Sequence, residues 1–166
     1  MEPIYVESLY ILGVRVDDVT YEEMLEAIDR FITQGGHHQL VTVNPEFVVT
    51  AQDDEEFRRV LNGAALCLPD GVGLLWAARL LGRPLRERVT GSDGIYRIAE
   101  HAARRGYHLF LLGAAPGVAK QAAAVLTARY PGLVISGTHA GSPTPEEEEE
   151  ICARVQAARP DILLVA

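Results

Sequence analysis

The residues able to do chemistry sit in short polar stretches that follow apolar runs. In "LCLPDGVGLLW" (residues 66–76) an apolar run stops at Pro69, and Asp70, Gly71, Val72 and Gly73 precede a second apolar run. Asp70 has two readings. Aspartate is a favoured helix N-cap, so it can simply begin the helix that follows. Gly71 and Gly73, however, cost stability in the first turn of that same helix, which argues for a close backbone approach or an unobstructed face. A carboxylate beside such a face is a reasonable general base.

Three further stretches have the same character: Thr42-Val43-Asn44-Pro45-Glu46, Gly113-Ala114-Ala115-Pro116-Gly117 and Gly137-Thr138-His139-Ala140-Gly141. The Gly113 stretch places Pro116 where a helix begins, and free N–H groups at a helix start attract phosphate. Its plain alternative is a tight strand-to-helix turn, since it matches neither GxGxxG nor a P-loop. Arg83, Arg86 and Arg88 share one loop. They read either as a solvated basic loop or as a phosphate-recognising cluster. Asp93 lies in the first turn of the next helix with Ser92 as its cap. His139 ends a strand among glycines and stays open between ligand contact and bystander.

These stretches need elements to position them. "LYILGVRV" (9–16) predicts a strand and "TYEEMLEAIDRFITQGG" a helix. Thr20 and Glu23 form its capping box, Met24, Ile28, Phe31 and Ile32 its apolar face, and Gly35 its close. A strand over 38–44 leads to a helical stretch that breaks near Asp53, where a fresh acidic N-terminus starts a second helix. "ALCL" is the next strand and "GVGLLWAARLLG" the next helix. After the arginine loop come helix, strand, helix, strand, helix and the strand "DILLVA". Short apolar strands separated by helices predict an α/β fold: a Rossmann-like, mostly parallel sheet with helices on both faces, in one domain. Loops that follow parallel strands share one sheet edge, so the four polar stretches are expected to converge there.

Composition narrows the function. The chain has 166 residues, 48% of them hydrophobic and 23% charged, with a net charge of −8. That balance argues against nucleic-acid binding, which needs a basic face to replace phosphate counterions. Cys67 and Cys152 have no CxxC partner and read as buried inert thiols in a reducing compartment. The acidic N-terminus is unlike a signal peptide and no run approaches membrane-spanning length, so a cytoplasmic protein is expected. No HExxH, Cys/His cluster or G-x-S-x-G occurs, and "PEEEEE" reads as a solvated first turn.

Together, "TVNPEFVVTAQDDEEF", "LPDGVGLLWAARLLGRPLRERVTGSD", "LFLLGAAPGVAKQAAAVL" and "YPGLVISGTHAGSPTPEE" resemble the WecG/TagA/CpsF family of bacterial glycosyltransferases, from about Leu9 to Ala166. The resemblance implies a metal-independent, inverting sugar transfer from a UDP-sugar donor, with no cofactor. The best-known members move N-acetylmannosamine to a polyprenyl-diphosphate-linked N-acetylglucosamine, in teichoic acid or common-antigen synthesis. It implies that Asp70 is the general base, that Thr42 and Asn44 line its pocket, and that Arg88 meets the diphosphate. Asp93 matches the "GSD" aspartate; Gly71, Gly113, Gly117 and His139 complete the expected substrate-binding set. The family further implies self-association and a peripheral position at the inner face of the cell membrane, reached through a C-terminal region with a "G.P.QE"-like motif that this sequence lacks. Ser142-Pro143 stands where the family has an aromatic residue. The alternative is a nucleotide-sugar-binding α/β module without catalysis. A Rossmann-type oxidoreductase is disfavoured because no GxGxxG follows the first strand.

Overall fold

A computed structural model describes residues 6–141 and 144–166, so the Ser142-Pro143 departure lies outside the described residues. The chain divides into two compact units, residues 1–94 and 95–166.

The first unit opens with strands β1 (Ser8–Ile11) and β2 (Val14–Asp17), paired antiparallel from Ser8↔Asp17 to Ile11↔Val14. This corrects the single strand expected over 9–16. Leu12 and Gly13 both take positive φ, 48° and 81°, which is the two-residue turn whose twist matches a hairpin. The apolar alternation runs across this turn without a break, so periodicity alone hides it. Helix α1 (Tyr21–Gln34) starts with the expected Thr20–Glu23 capping box, buries Met24, Ala27 and Ile28, and ends at Gly35. Strand β3 (Leu40–Val43) pairs parallel with β4 (Leu66–Pro69), Thr42 opposite Leu68 and Val43 opposite Pro69. Between them lie α2 (Pro45–Asp53) and α3 (Glu55–Gly63). The break expected near Asp53 falls at Asp54, whose carboxylate accepts from Phe57 N at 2.8 Å. Helix α4 (Val72–Leu80) follows β4.

A buried ion pair ties the hairpin to this layer. Asp17 is 2% exposed, and such burial requires partners. Arg15 Nε lies 3.2 Å away, Ser8 Oγ donates at 2.7 Å, and Cys67 N donates at 2.7 Å. The other end of Arg15 donates to the carbonyls of Asn62 and Ala64. Arg86, in the loop after α4, clasps the start of α1 through Asp18 (2.9 Å) and Glu23 (2.7 Å). The hydrogen bond from Arg86 holds the Glu23 carboxyl below its usual range.

Helix α5 (Gly91–Arg105) begins in the first unit. In the second unit β5 (His108–Leu112) pairs parallel with both β6 (Val134–His139) and β7 (Ile162–Val165). One face of β5 packs Leu109 and Leu111 with Ala99, Ala102 and Leu126. Its other face packs Phe110 and Leu112 with Ile151. Helices α5 and α6 (Val118–Arg129) thus cover one side, and α7 (Glu148–Ala158) the other. The α/β, Rossmann-like organisation expected from the alternation of elements holds, with parallel pairs in both units. Among the described residues no helix is long and apolar enough to cross a membrane.

The two cysteines differ, which corrects the reading of both as buried: Cys67 is buried and Cys152 exposed. Burial, with the Asp17 charge second, pushes the Cys67 thiol up to about 11. A disulfide reagent at pH 8 is therefore expected to modify one thiol per folded chain and both after denaturation. Cys152→Ser should abolish the fast native reaction; rapid modification of that variant would show Cys67 to be accessible.

Candidate active site

The loops after β3 and β4 leave the same edge of the first unit because the strands run parallel. Asp70 N donates to Val43 O at 2.7 Å, carrying the pairing one residue past β4. Val89 N donates to Pro69 O at 2.9 Å, which brings the end of the arginine loop alongside. Asp70 is half-buried there. Its Oδ2 accepts from Gly91 N, the first residue of α5, at 3.0 Å. Oδ1 has no partner among the described residues.

This corrects the expectation that Asp70 caps the helix after it. The N-cap of α4 is Gly71 (φ 126°), with no side-chain cap. The aspartate instead reaches across the sheet edge to a helix start 21 residues away. The cap expected at Ser92 is likewise Thr90: its Oγ1 accepts from Asp93 N at 3.2 Å and donates to Asp93 Oδ2 at 3.1 Å. Ser92 lies inside α5.

Thr42 joins Asp70 at Gly91. A Cβ on Gly91 would stand 3.4 Å from Thr42 Cγ2 and 3.8 Å from Asp70 Oδ2, so the bare α-carbon is where the two side chains meet. The Thr42 hydroxyl is unpartnered among the described residues. Asn44 caps α2, its Oδ1 accepting from Phe47 N at 2.8 Å, and its Nδ2 hydrogens have no partner among the described residues. The side chain is thus both a cap and a remaining donor.

Gly71 and Gly73 are explained by packing. A Cβ at either would come within 2.9 Å of the Pro45 ring. The close approach inferred from these glycines is real, and what approaches is the first residue of α2, not an open face awaiting ligand. Pro45 is tolerated at a first helical position because its missing N–H has no partner to lose there.

The arginine loop does not act as one cluster. Arg86 is engaged by Asp18 and Glu23, and Arg83 stands 3.9 Å from Glu7 with both side chains largely exposed. Arg88 is exposed and makes no hydrogen bond or ion pair among the described residues. Of the three, it is the arginine whose charge is free.

Gly113, Gly117 and His139 belong to the second unit. Gly113 (φ 105°) leaves no room for a side chain, since a Cβ would overlap the Ala166 carbonyl. Its N–H donates to His139 O at 2.8 Å and Ala114 N to Ala166 O at 3.2 Å. Those two amides are satisfied within the unit, which favours the tight-turn reading of the loop. Pro116 precedes α6 instead of opening it; Gly117 (φ 87°) is the N-cap, without a side-chain cap.

Sequence reasoning missed Gly91, Pro45 and Tyr21. Tyr21 OH accepts from Thr90 N at 2.8 Å and steadies the start of α5. Only a register linking β3, β4 and the arginine loop would have revealed these contacts.

A family model described as the glycosyl transferase WecG/TagA/CpsF family matches residues 9–166. A Bacillus spizizenii protein named N-acetylglucosaminyldiphosphoundecaprenol N-acetyl-beta-D-mannosaminyltransferase is 30% identical over 127 residues, covering 76% of this chain and 49% of the relative. A Staphylococcus aureus (strain MRSA252) protein of the same name is 32% identical over 157 residues, covering 93% of this chain and 61% of the relative. The chain thus spans about half to three-fifths of the length of these relatives.

Gly73→Ala is expected to destabilise the protein by about 1–3 kcal/mol through overpacking against Pro45. In a Pro45→Ala background the same change should stabilise by up to about 1 kcal/mol, the helix-propensity gain. A denaturant double-mutant cycle measures this, and additive effects would remove the Pro45 contact as the reason for glycine.

Proposed function

Because this chain belongs to the glycosyl transferase WecG/TagA/CpsF family, we propose that it transfers N-acetylmannosamine, or a related sugar, from a UDP-sugar to N-acetylglucosamine carried on a polyprenyl diphosphate. The names of the curated relatives support the sugar and the acceptor. The observation that carries a catalytic reading is the state of Asp70: one carboxylate oxygen is fixed by Gly91 N–H at 3.0 Å, and among the described residues the other oxygen and the neighbouring Thr42 hydroxyl have no partner. A carboxylate so placed is oriented and still able to accept a proton.

In the proposed reaction Asp70 Oδ1 takes the proton of the acceptor hydroxyl. The hydroxyl oxygen forms its new bond to the anomeric carbon as the bond to the UDP oxygen breaks on the opposite face, inverting that carbon. The leaving electron pair goes to the diphosphate, whose growing charge Arg88 meets without a metal. Thr42 and the Asn44 amide supply hydrogen bonds that orient the sugars, and Asp93 braces Thr90 at the start of α5. A lipid-linked acceptor puts the reaction at the inner face of the cell membrane, with the protein attached peripherally.

Asp70→Asn keeps the Gly91 hydrogen bond sterically possible while removing the base. It is expected to lower kcat by about 10²–10⁴-fold with UDP affinity retained. Arg88→Ala should weaken donor use, and EDTA should leave the wild-type rate unchanged. A wild-type rate in Asp70→Asn defeats the catalytic assignment; UDP-sugar binding without turnover by the wild-type protein favours the binding-module alternative.

A further inference from the structure

The outward face of α4 is unclaimed by the core. Leu74 and Ala78 on its inner side are buried, whereas Val72, Trp76 and Leu80, at i, i+4 and i+8, are 57%, 64% and 90% exposed. Leu81 extends the stripe at 56% exposure. Such a row of large apolar side chains on one helix face marks a contact surface. The charge around it is equally uneven. Residues 72–90 hold four arginines against one acid, in a chain of net charge −8; Arg86 is engaged by Asp18 and Glu23, while Arg83, 3.9 Å from Glu7, stays largely exposed. The Arg79 guanidinium lies over the Trp76 ring at 5.7 Å, so a cation borders the stripe on its own face.

We propose that this face docks on an anionic lipid bilayer, with Trp76, Leu80 and Leu81 entering the headgroup boundary and Arg79 and Arg83 meeting lipid phosphates. Aromatic and aliphatic anchors bordered by arginine are the composition of an interfacial helix. A second copy fits less well: α4 carries Arg79 and no acid, so this helix face offers no carboxylate to the arginine of another α4. Because α4 starts two residues after Asp70, docking through this helix also brings the reactive edge to the membrane surface, where a lipid-linked acceptor lies. That last step rests on the transfer reaction proposed above; the docking does not.

Trp76 is the single tryptophan of the sequence, so its fluorescence reports on this face alone. Vesicles of phosphatidylglycerol and phosphatidylethanolamine are expected to shift its emission to the blue and to co-sediment the protein. Pure phosphatidylcholine vesicles should do neither, and salt should weaken the binding. Leu80→Glu and the double change Arg79→Glu/Arg83→Glu should each weaken vesicle binding by about tenfold or more, with circular dichroism unchanged. Equal binding to both vesicle types, undiminished binding by Leu80→Glu, or a blue shift with doubled mass in lipid-free solution would overturn the proposal. Leu80→Glu should also keep transfer to a short-chain, water-soluble acceptor while losing transfer to one in vesicles; equal loss of both would overturn the coupling to docking. Anionic-vesicle binding with no transfer by the wild-type protein to either acceptor supports the docking and defeats only the transferase reading.

Discussion

The edge of the first unit that carries Asp70 depends on one steric allowance: the missing side chains at 71 and 73. They let the Pro45 ring come to where a Cβ would stand only 2.9 Å away, so the starts of α2 and α4 sit side by side at the ends of two paired strands. Gly73, inside the first turn of α4, sacrifices roughly 1 kcal/mol of helix propensity, whereas Gly71 is the N-cap, at φ 126°. The loss is accepted because a Cβ on either residue would push the helices apart and carry Asp70 away from Thr42. Tight contact between helix starts, more than any individual polar bond, defines the distances on which the site relies.

Asp70 then ties in a third helix start. Its bond to Gly91 N joins residues 21 apart, and Val89 N on Pro69 O lays the intervening loop against the strand end. Both ends of this loop are fixed by different charges. Arg86 is spent on Asp18 and Glu23, holding the loop to α1. That anchoring leaves Arg88, two residues on, close to a fixed backbone and with its guanidinium unpaired among the described residues. One arginine builds the loop, and the other stays exposed beside it.

What the sequence made legible follows the range of the interaction responsible. The Thr20–Glu23 box, the break at Asp54 and the parallel strands all rest on spacing within a few residues, and the structure has them. The Leu12-Gly13 hairpin was lost because its two strands keep one alternating pattern through the turn. Asp70 was read as a cap for α4 because local reasoning supplies only a local partner. Its amide partner comes from the far end of a loop, and no propensity encodes that. The Gly71-Val72-Gly73 signal was sound in kind, since glycine did mark a close approach, but composition cannot name the residue that approaches. The three arginines look alike as a cluster and are separated by distant acids: Asp18 and Glu23 take Arg86, and Glu7 stands near Arg83.

The single amide on Asp70 bears directly on the proposed role of this carboxylate. A carboxylate without any partner would rotate, and its attack geometry would be set anew in each encounter. One bound by several amides would have both oxygens occupied, with few lone pairs left for an incoming proton. With Gly91 N on Oδ2 and no partner on Oδ1 among the described residues, the group is aimed by one oxygen and, in the proposed reaction, would accept the proton through the other. Gly91 brings its backbone close to both side chains: a Cβ there would be in ordinary contact with Thr42 Cγ2 at 3.4 Å and with Asp70 Oδ2 at 3.8 Å. Gly91 therefore acts on Asp70 through its backbone alone, and in the proposed reaction Thr42 and Asp70 would face the substrate from this point.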